Sequence, residues 1–151
     1  MKYTIGALIF LVVSTSDTVP LAADVDQIIS NPELYDDRDL SVLGYLVGAD
    51  PLLGVDEEGN VTLEQFRAAW IYTDENSFLN GLYTRAISVE LTPEQGASIL
   101  ACDQAYVTVI GSFEASPRHR AHLDHFRSRI RNVREVRRLP SQTNGYDASA
   151  C

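Results

Sequence analysis

The chain has 151 residues and a formal net charge of −9, from 12 basic and 21 acidic side chains. That length suffices for one domain with one core. The acidity argues against a general binder of nucleic-acid backbones, because the long-range field would repel the phosphates.

Residues 1–23, MKYTIGALIFLVVSTSDTVPLAA, have Lys2 near the start, an apolar run from Ile5 to Val13 and a small-residue end at Ala22-Ala23. This is the layout of a secretory signal peptide. The run is too short to span a bilayer. An N-terminal anchor helix or a buried strand are the alternatives. No Cys stands near the end of the segment, so a lipoprotein anchor is not indicated. Cleavage after Ala23 would deliver a domain over residues 24–139 to the periplasm or the exterior, with no membrane span.

A short helix is predicted next. Val25, Ile28 and Ile29 share a helical face, Asp24 or Asp26 stands ready to cap, and Asn31-Pro32 stops it. Then comes DLSVLGYLV, with Leu40, Val42 and Leu46 on one parity of a strand. This segment is nearly repeated later. Leu40-Ser41-Val42-Leu43-Gly44 aligns with Val107-Thr108-Val109-Ile110-Gly111. A glycine inside a strand marks a bulge or sharp coiling. Two such strands suit a small, highly curved barrel in which each bends at its glycine and serves two sheets.

Residues 55–66, VDEEGNVTLEQF, have the residue types of a calcium loop, but the glycine and the final Glu fall at the wrong positions. The segment reads as a solvated turn at Glu58-Gly59-Asn60, then a helical turn capped by Thr62 with Gln65. A calcium site of another kind, using Asp56 and Glu58, is the alternative. Two short strands follow, AAWIYTD and AISVEL. Thr92-Pro93 opens a helix that carries Ile99 and Leu100. YVTVIGSFEA is the next strand, with Val107, Val109 and Phe113 inward. In the last segment Leu123, Phe126, Ile130, Val133 and Val136 fit helical spacing. The tail, residues 140–151, has the composition of a disordered end.

The order of elements is that of a mainly β protein: a five-stranded OB-fold barrel with a helix between strands 3 and 4 and a short N-terminal helix. N-P-E-L-Y-D, V-L-G-Y-L, A-W-I-Y-T-D-E, Y-V-T-V-I-G-S-F and H-L-D-H-F…I-R-N-V, in that order, resemble a family of small exported bacterial OB-fold proteins. These have an anticodon-binding-like fold and are mostly uncharacterised. The resemblance spans residues 25 to 139. It implies that the last segment is a strand, against its helical spacing, and it supplies no catalytic residues. The chain departs from the family pattern at Asp37, where a glycine is usual, and in a longer connection from Asp50 to Phe66.

Four constellations are candidates for function. His119, His122 and His125 lie within seven residues beside Asp124. On a helix, neighbouring pairs of them would grip a metal; on a strand His122 points away from the other two. Tyr45, Trp70 and Tyr72 fall where OB-folds stack bases or sugars, unless they serve as packing. Arg127, Arg129 and Arg131 alternate along the last strand and would hold an anion, unless they pair with the acidic part of the chain. From Asp24 to Glu114 there are 17 acids and 3 arginines; from Arg118 to Arg138 there are 8 arginines with Asp124 and Glu135. Cys102 and Cys151 would pair with each other, or between molecules, in an oxidising compartment. No nucleophile motif is present and no cofactor is implied.

The chain therefore reads as an exported, non-enzymatic binding domain of the cell envelope. Its ligand is a protein partner, reached through the acidic surface and Leu43 or Ile110, or an anionic or sugar ligand. A metal-binding protein or metal-dependent enzyme centred on the histidines is the alternative.

Overall fold

The computed structural model describes residues 19–115, 128–140 and 151. The chain is mainly β. In order, its elements are β1 Leu21–Asp24, α1 Val25–Ser30, β2 Asp39–Val55, β3 Val61–Tyr72, α2 Glu75–Leu79, β4 Ala86–Glu90, α3 Pro93–Ser98, β5 Ala105–Ala115 and β6 Ser128–Arg138. Short 3-10 turns cover Pro32–Leu34, Tyr83–Arg85 and Ile99–Cys102.

The strands form one six-stranded sheet in the order β1-β2-β3-β4-β6-β5, and a further pairing of β2 with β5 closes it into a ring. Within the ring only β4 and β6 run parallel. β1 falls at the end of the leader-like segment, for which a strand was only the alternative reading. It pairs in parallel with β2, from Leu21↔Leu40 to Asp24↔Leu43, and Ala23 faces the core. It thus crosses the position at which the sequence places a cleavage.

α1 forms as its residues dictate. The Asp24 side chain accepts from Gln27 N, and Gln27 returns a bond to the Asp24 backbone N–H. Val25 and Ile28 are fully buried. α3 opens in the same way on Thr92 and Gln95, with Pro93 in its first turn.

The repeated segments pair with each other. Leu40 faces Gly111, Val42 faces Val109 and Gly44 faces Val107. Val42 therefore meets its own counterpart, and the repeat is related by a local two-fold axis through that pair. Gly44 sits where β2 changes partner, and Gly111 sits at the register shift between β5 and β6. β2 pairs with β5 over Asp39–Leu46 and with β3 over Tyr45–Val55. A Cβ on Gly44 would lie 2.5 Å from the Tyr72 carbonyl oxygen and 2.6 Å from Ile71 Cγ1. A Cβ on Gly111 would meet Ile130 Cγ2 at 2.7 Å, beside the register shift between Ile110 and Ser112. Both glycines admit a close crossing that a side chain would block.

The same shift explains the last segment. β6 is a strand, yet Ile130, Val133 and Val136 are all buried. Extra residues opposite Gly111, with Asn132 at φ 49°, reset the alternation so that Val133 returns to the core. A bulged strand thus imitates helical spacing.

Residues 55–66 correct the sequence reading. No helical turn follows Thr62; Val61 and Leu63 belong to β3. The Asp50 to Phe66 connection is a continuous hairpin, paired from Pro51↔Phe66 to Val55↔Val61. Asp37, at the position where a glycine was expected, has φ 55°.

The core fills the ring with Leu40, Val42, Leu46, Ile71, Ile87, Val89, Val107, Val109, Phe113 and Ile130. Val25 and Ile28 of α1, and Ile99 after α3, join the same cluster.

Candidate functional site

The arginine row is occupied by the chain's own acids. Arg129 grips both oxygens of Glu114 at 3.0–3.2 Å. Arg131 contacts Glu114 at 2.9 Å and Asp37 at 3.2 Å. Farther along, Arg134 holds Asp39 at 2.8 Å and Arg137 holds Glu135 at 2.6 Å. The guanidinium of Arg134, then the Ser112 hydroxyl, keep the Asp39 carboxyl below its ordinary pKa. Arg129, Arg131 and Arg134 thus face acids of the body, and these three hold no open anion site. Arg127, His119, His122 and His125 lie outside the described residues. Among the described residues no three metal-ligating side chains converge.

The aromatic patch exists but is roofed. Tyr45 and Tyr72 are cross-strand partners on the outer face of the sheet, two positions from Trp70↔Val47 along β3 and β2. Phe78 of α2 packs over both, with ring centroids 6.1 Å from Tyr45 and 5.5 Å from Tyr72. Tyr106 meets Tyr45 edge-on at 5.3 Å, and Tyr83 meets Trp70 edge-on at 5.8 Å. Tyr45 and Tyr72 are buried and Trp70 is half-buried. A ligand ring stacked on Tyr72 would have to displace α2. Burial raises the Tyr72 phenol to a pKa of about 12, and burial followed by the nearby Glu75 charge raises that of Tyr45.

Cys102 and Cys151 are joined in a disulfide within the chain. Cys151 also donates its backbone N–H to the Val136 carbonyl and packs against the core. The end of the tail is therefore anchored, while residues 141–150 lie outside the described residues.

Asp56 orders the turn of the β2–β3 hairpin. Its Oδ1 accepts from Glu58 N at 3.1 Å and Asn60 N at 2.7 Å, and its Oδ2 accepts from Asn60 Nδ2 at 3.0 Å. These bonds, the Asn60 side chain first, lower the Asp56 pKa. The carboxylate that a calcium site would use is engaged in closing the turn.

Two further surfaces stand out among the described residues. One is an open cleft of about 520 Å³ lined by Tyr45, Glu75, Gln104, Tyr106, Arg138 and Leu139. Its size is in the range of small-ligand sites. The other is the hairpin. Leu53 faces Leu63 and Val55 faces Val61, so all four share one face of the ribbon. They are 58%, 42%, 69% and 70% exposed. The sequence reading missed this face. The signal was present: L-G-V at 53–55 and V-T-L at 61–63 alternate on either side of D-E-E-G-N, the pattern of a hairpin. Of the two apolar residues that were suggested for partner contact, Leu43 is exposed and Ile110 is half-buried.

No family model, curated protein or solved structure matches the chain. Function must therefore be argued from the surfaces themselves. No helix among the described residues is long and apolar enough to cross a membrane.

Proposed function

We propose that the chain is an exported OB-fold domain that works by binding a protein partner, and that it belongs with the small exported bacterial OB-fold proteins whose motif order it shares. The order of pairings supports the fold: β2-β3-β4-β6-β5 and back to β2, with α3 between the third and fourth strands of the ring. Export is supported by the leader-like residues 1–23 and by a disulfide, which persists in oxidising compartments.

One observation carries the protein-binding reading. Arg129, Arg131 and Arg134 of β6 are paired with acids of the chain and Tyr45 and Tyr72 are roofed by Phe78, while four large aliphatics stay in solvent on a projecting ribbon. Exposed apolar surface of this kind marks contact sites. The cleft beside Tyr106 favours a second reading, a small polar or sugar ligand, because an exposed phenol ring lines it together with Glu75 and Arg138.

The test is expression of the full chain in a bacterium with an outer membrane, followed by fractionation and in-cell photo-crosslinking scanned over the surface. Recovery from the periplasm or medium with protein crosslinks is the expected result. Retention in the cytoplasm, or crosslinks to no protein, would overturn the reading. Sugar oligomers that shift only the NMR signals of Tyr106 and its neighbours would favour the cleft.

A further inference from the structure

The β2–β3 ribbon projects beyond the ring. β5 pairs with β2 only up to Leu46, and β4 pairs with β3 only from Ala68. A two-stranded ribbon is marginal by itself and gains little from exposed leucine and valine. Here its tip is fixed by the Asp56 turn, so a partner would meet a pre-ordered surface and lose little entropy in ordering it.

Its edges are guarded. The outer edge of β2 is interrupted by Asp50 at φ 49° and by Pro51, which has no N–H. β3 carries an extra residue, Glu64, at the register shift opposite Leu52/Leu53. These features oppose strand addition and leave the face as the means of contact.

The charge around that face selects the occupant. Residues 50–67 hold Asp50, Asp56, Glu57, Glu58 and Glu64, against Arg67 alone, and Arg67 already lies 3.9 Å from Asp50. A second copy would bring the same acids together, and the whole chain carries −9. An anionic lipid surface would be repelled in the same way. We infer that the Leu53–Val55–Val61–Leu63 face of the hairpin is the docking site for a protein segment whose apolar residues are bordered by Lys or Arg. This rests on the protein-binding reading above and names its surface and partner chemistry.

The experiment uses the full chain, immobilised, against a displayed library of random peptides. Enriched peptides should combine aliphatic or aromatic residues with Lys or Arg. Enrichment should fall at least tenfold with Val61→Ser/Leu63→Ser, and basic residues should give way to acidic ones with Glu57→Lys/Glu58→Lys. All four positions are exposed, and unchanged circular dichroism would show that the ring stays folded. Peptides without a basic bias, or enrichment that survives Val61→Ser/Leu63→Ser, would overturn the inference. So would a concentration-dependent dimer in sedimentation that Val61→Ser abolishes, since the occupant would then be a second copy. Partner crosslinks that map elsewhere, with the ribbon silent, would overturn this inference while leaving the binding-domain reading intact. An absence of any protein crosslink would overturn both.

Discussion

At the scale of residues, Gly44 and Gly111 were legible as bends because each interrupts an apolar row at a core-facing position. What each bend avoids was not legible, since Tyr72 and Ile130 come from distant parts of the chain. Gly44→Ala would force a methyl against the Tyr72 carbonyl, which cannot retreat without breaking β3. We expect a loss of about 1–3 kcal/mol, the usual cost of overpacking, read from denaturant midpoints. Asp39 gives a pH prediction. Its folded pKa is depressed by Arg134 and Ser112 below the ordinary value of 3.8. Its contribution is therefore full above that value and lost as pH falls through the folded pKa. Asp39→Asn should lower the thermal midpoint at neutral pH and flatten its fall in acid; an unchanged acid limb would show that this pair does not matter. Tyr72 behaves oppositely. With a folded pKa of about 12 against an ordinary 10, its contribution holds below pH 10 and is lost between the two values. Tyr72→Phe should make the alkaline limb of the midpoint shallower.

At the scale of elements, helices α1 and α3 were readable because their caps are local: Asp24 with Gln27 and Thr92 with Gln95 lie three residues apart. The hairpin and β6 were harder because long-range pairing decides them. Thr62 and Gln65 satisfy a capping pattern, yet Val61 and Leu63 pair with Val55 and Leu53. In β6 only the bulge at Asn132 reconciles three-residue spacing with a strand, and no single-chain pattern announces it. The resemblance, not the spacing, gave the strand. The chain terminus makes a prediction at this scale. The disulfide closes a 49-residue separation around β5 and β6. Loop-closure entropy then favours the folded state by about 4 kcal/mol. Reduction, or Cys102→Ser with Cys151→Ser, should lower the denaturant midpoint accordingly and speed proteolysis of the C-terminal segment. Equal stability of the oxidised and reduced forms would mean that the tail contributes nothing to the fold.

At the scale of the whole molecule, the division into an acidic body and a basic late segment was visible in the sequence, but its purpose was open. The structure turns it inward. Glu114 lies between Arg129 and Arg131, and its side chain is only 18% exposed. Asp37 and Asp39 hold the next two contacts, so four ion pairs fasten β6 to the start of β2, to Asp37 just before it and to the end of β5. Pairs this open to water contribute about 0–1 kcal/mol each, and salt weakens them. Glu114 differs in serving two arginines at once, Arg129 and Arg131, whose side chains are 42% and 38% exposed. Glu114→Gln should therefore destabilise the chain by about 1 kcal/mol, more than Arg129→Ala or Arg131→Ala does. The same pairing governs the external field. With these arginines neutralised locally, the surface keeps its net −9, so a sulfated polyanion should leave the thermal midpoint unchanged at low salt. Replacing Glu114 frees Arg129 and leaves Arg131 to Asp37 alone, and Glu114→Gln should be the variant in which a salt-sensitive polyanion shift first emerges. A shift of that kind in the unaltered chain would return the arginine row to the surface as a binding face.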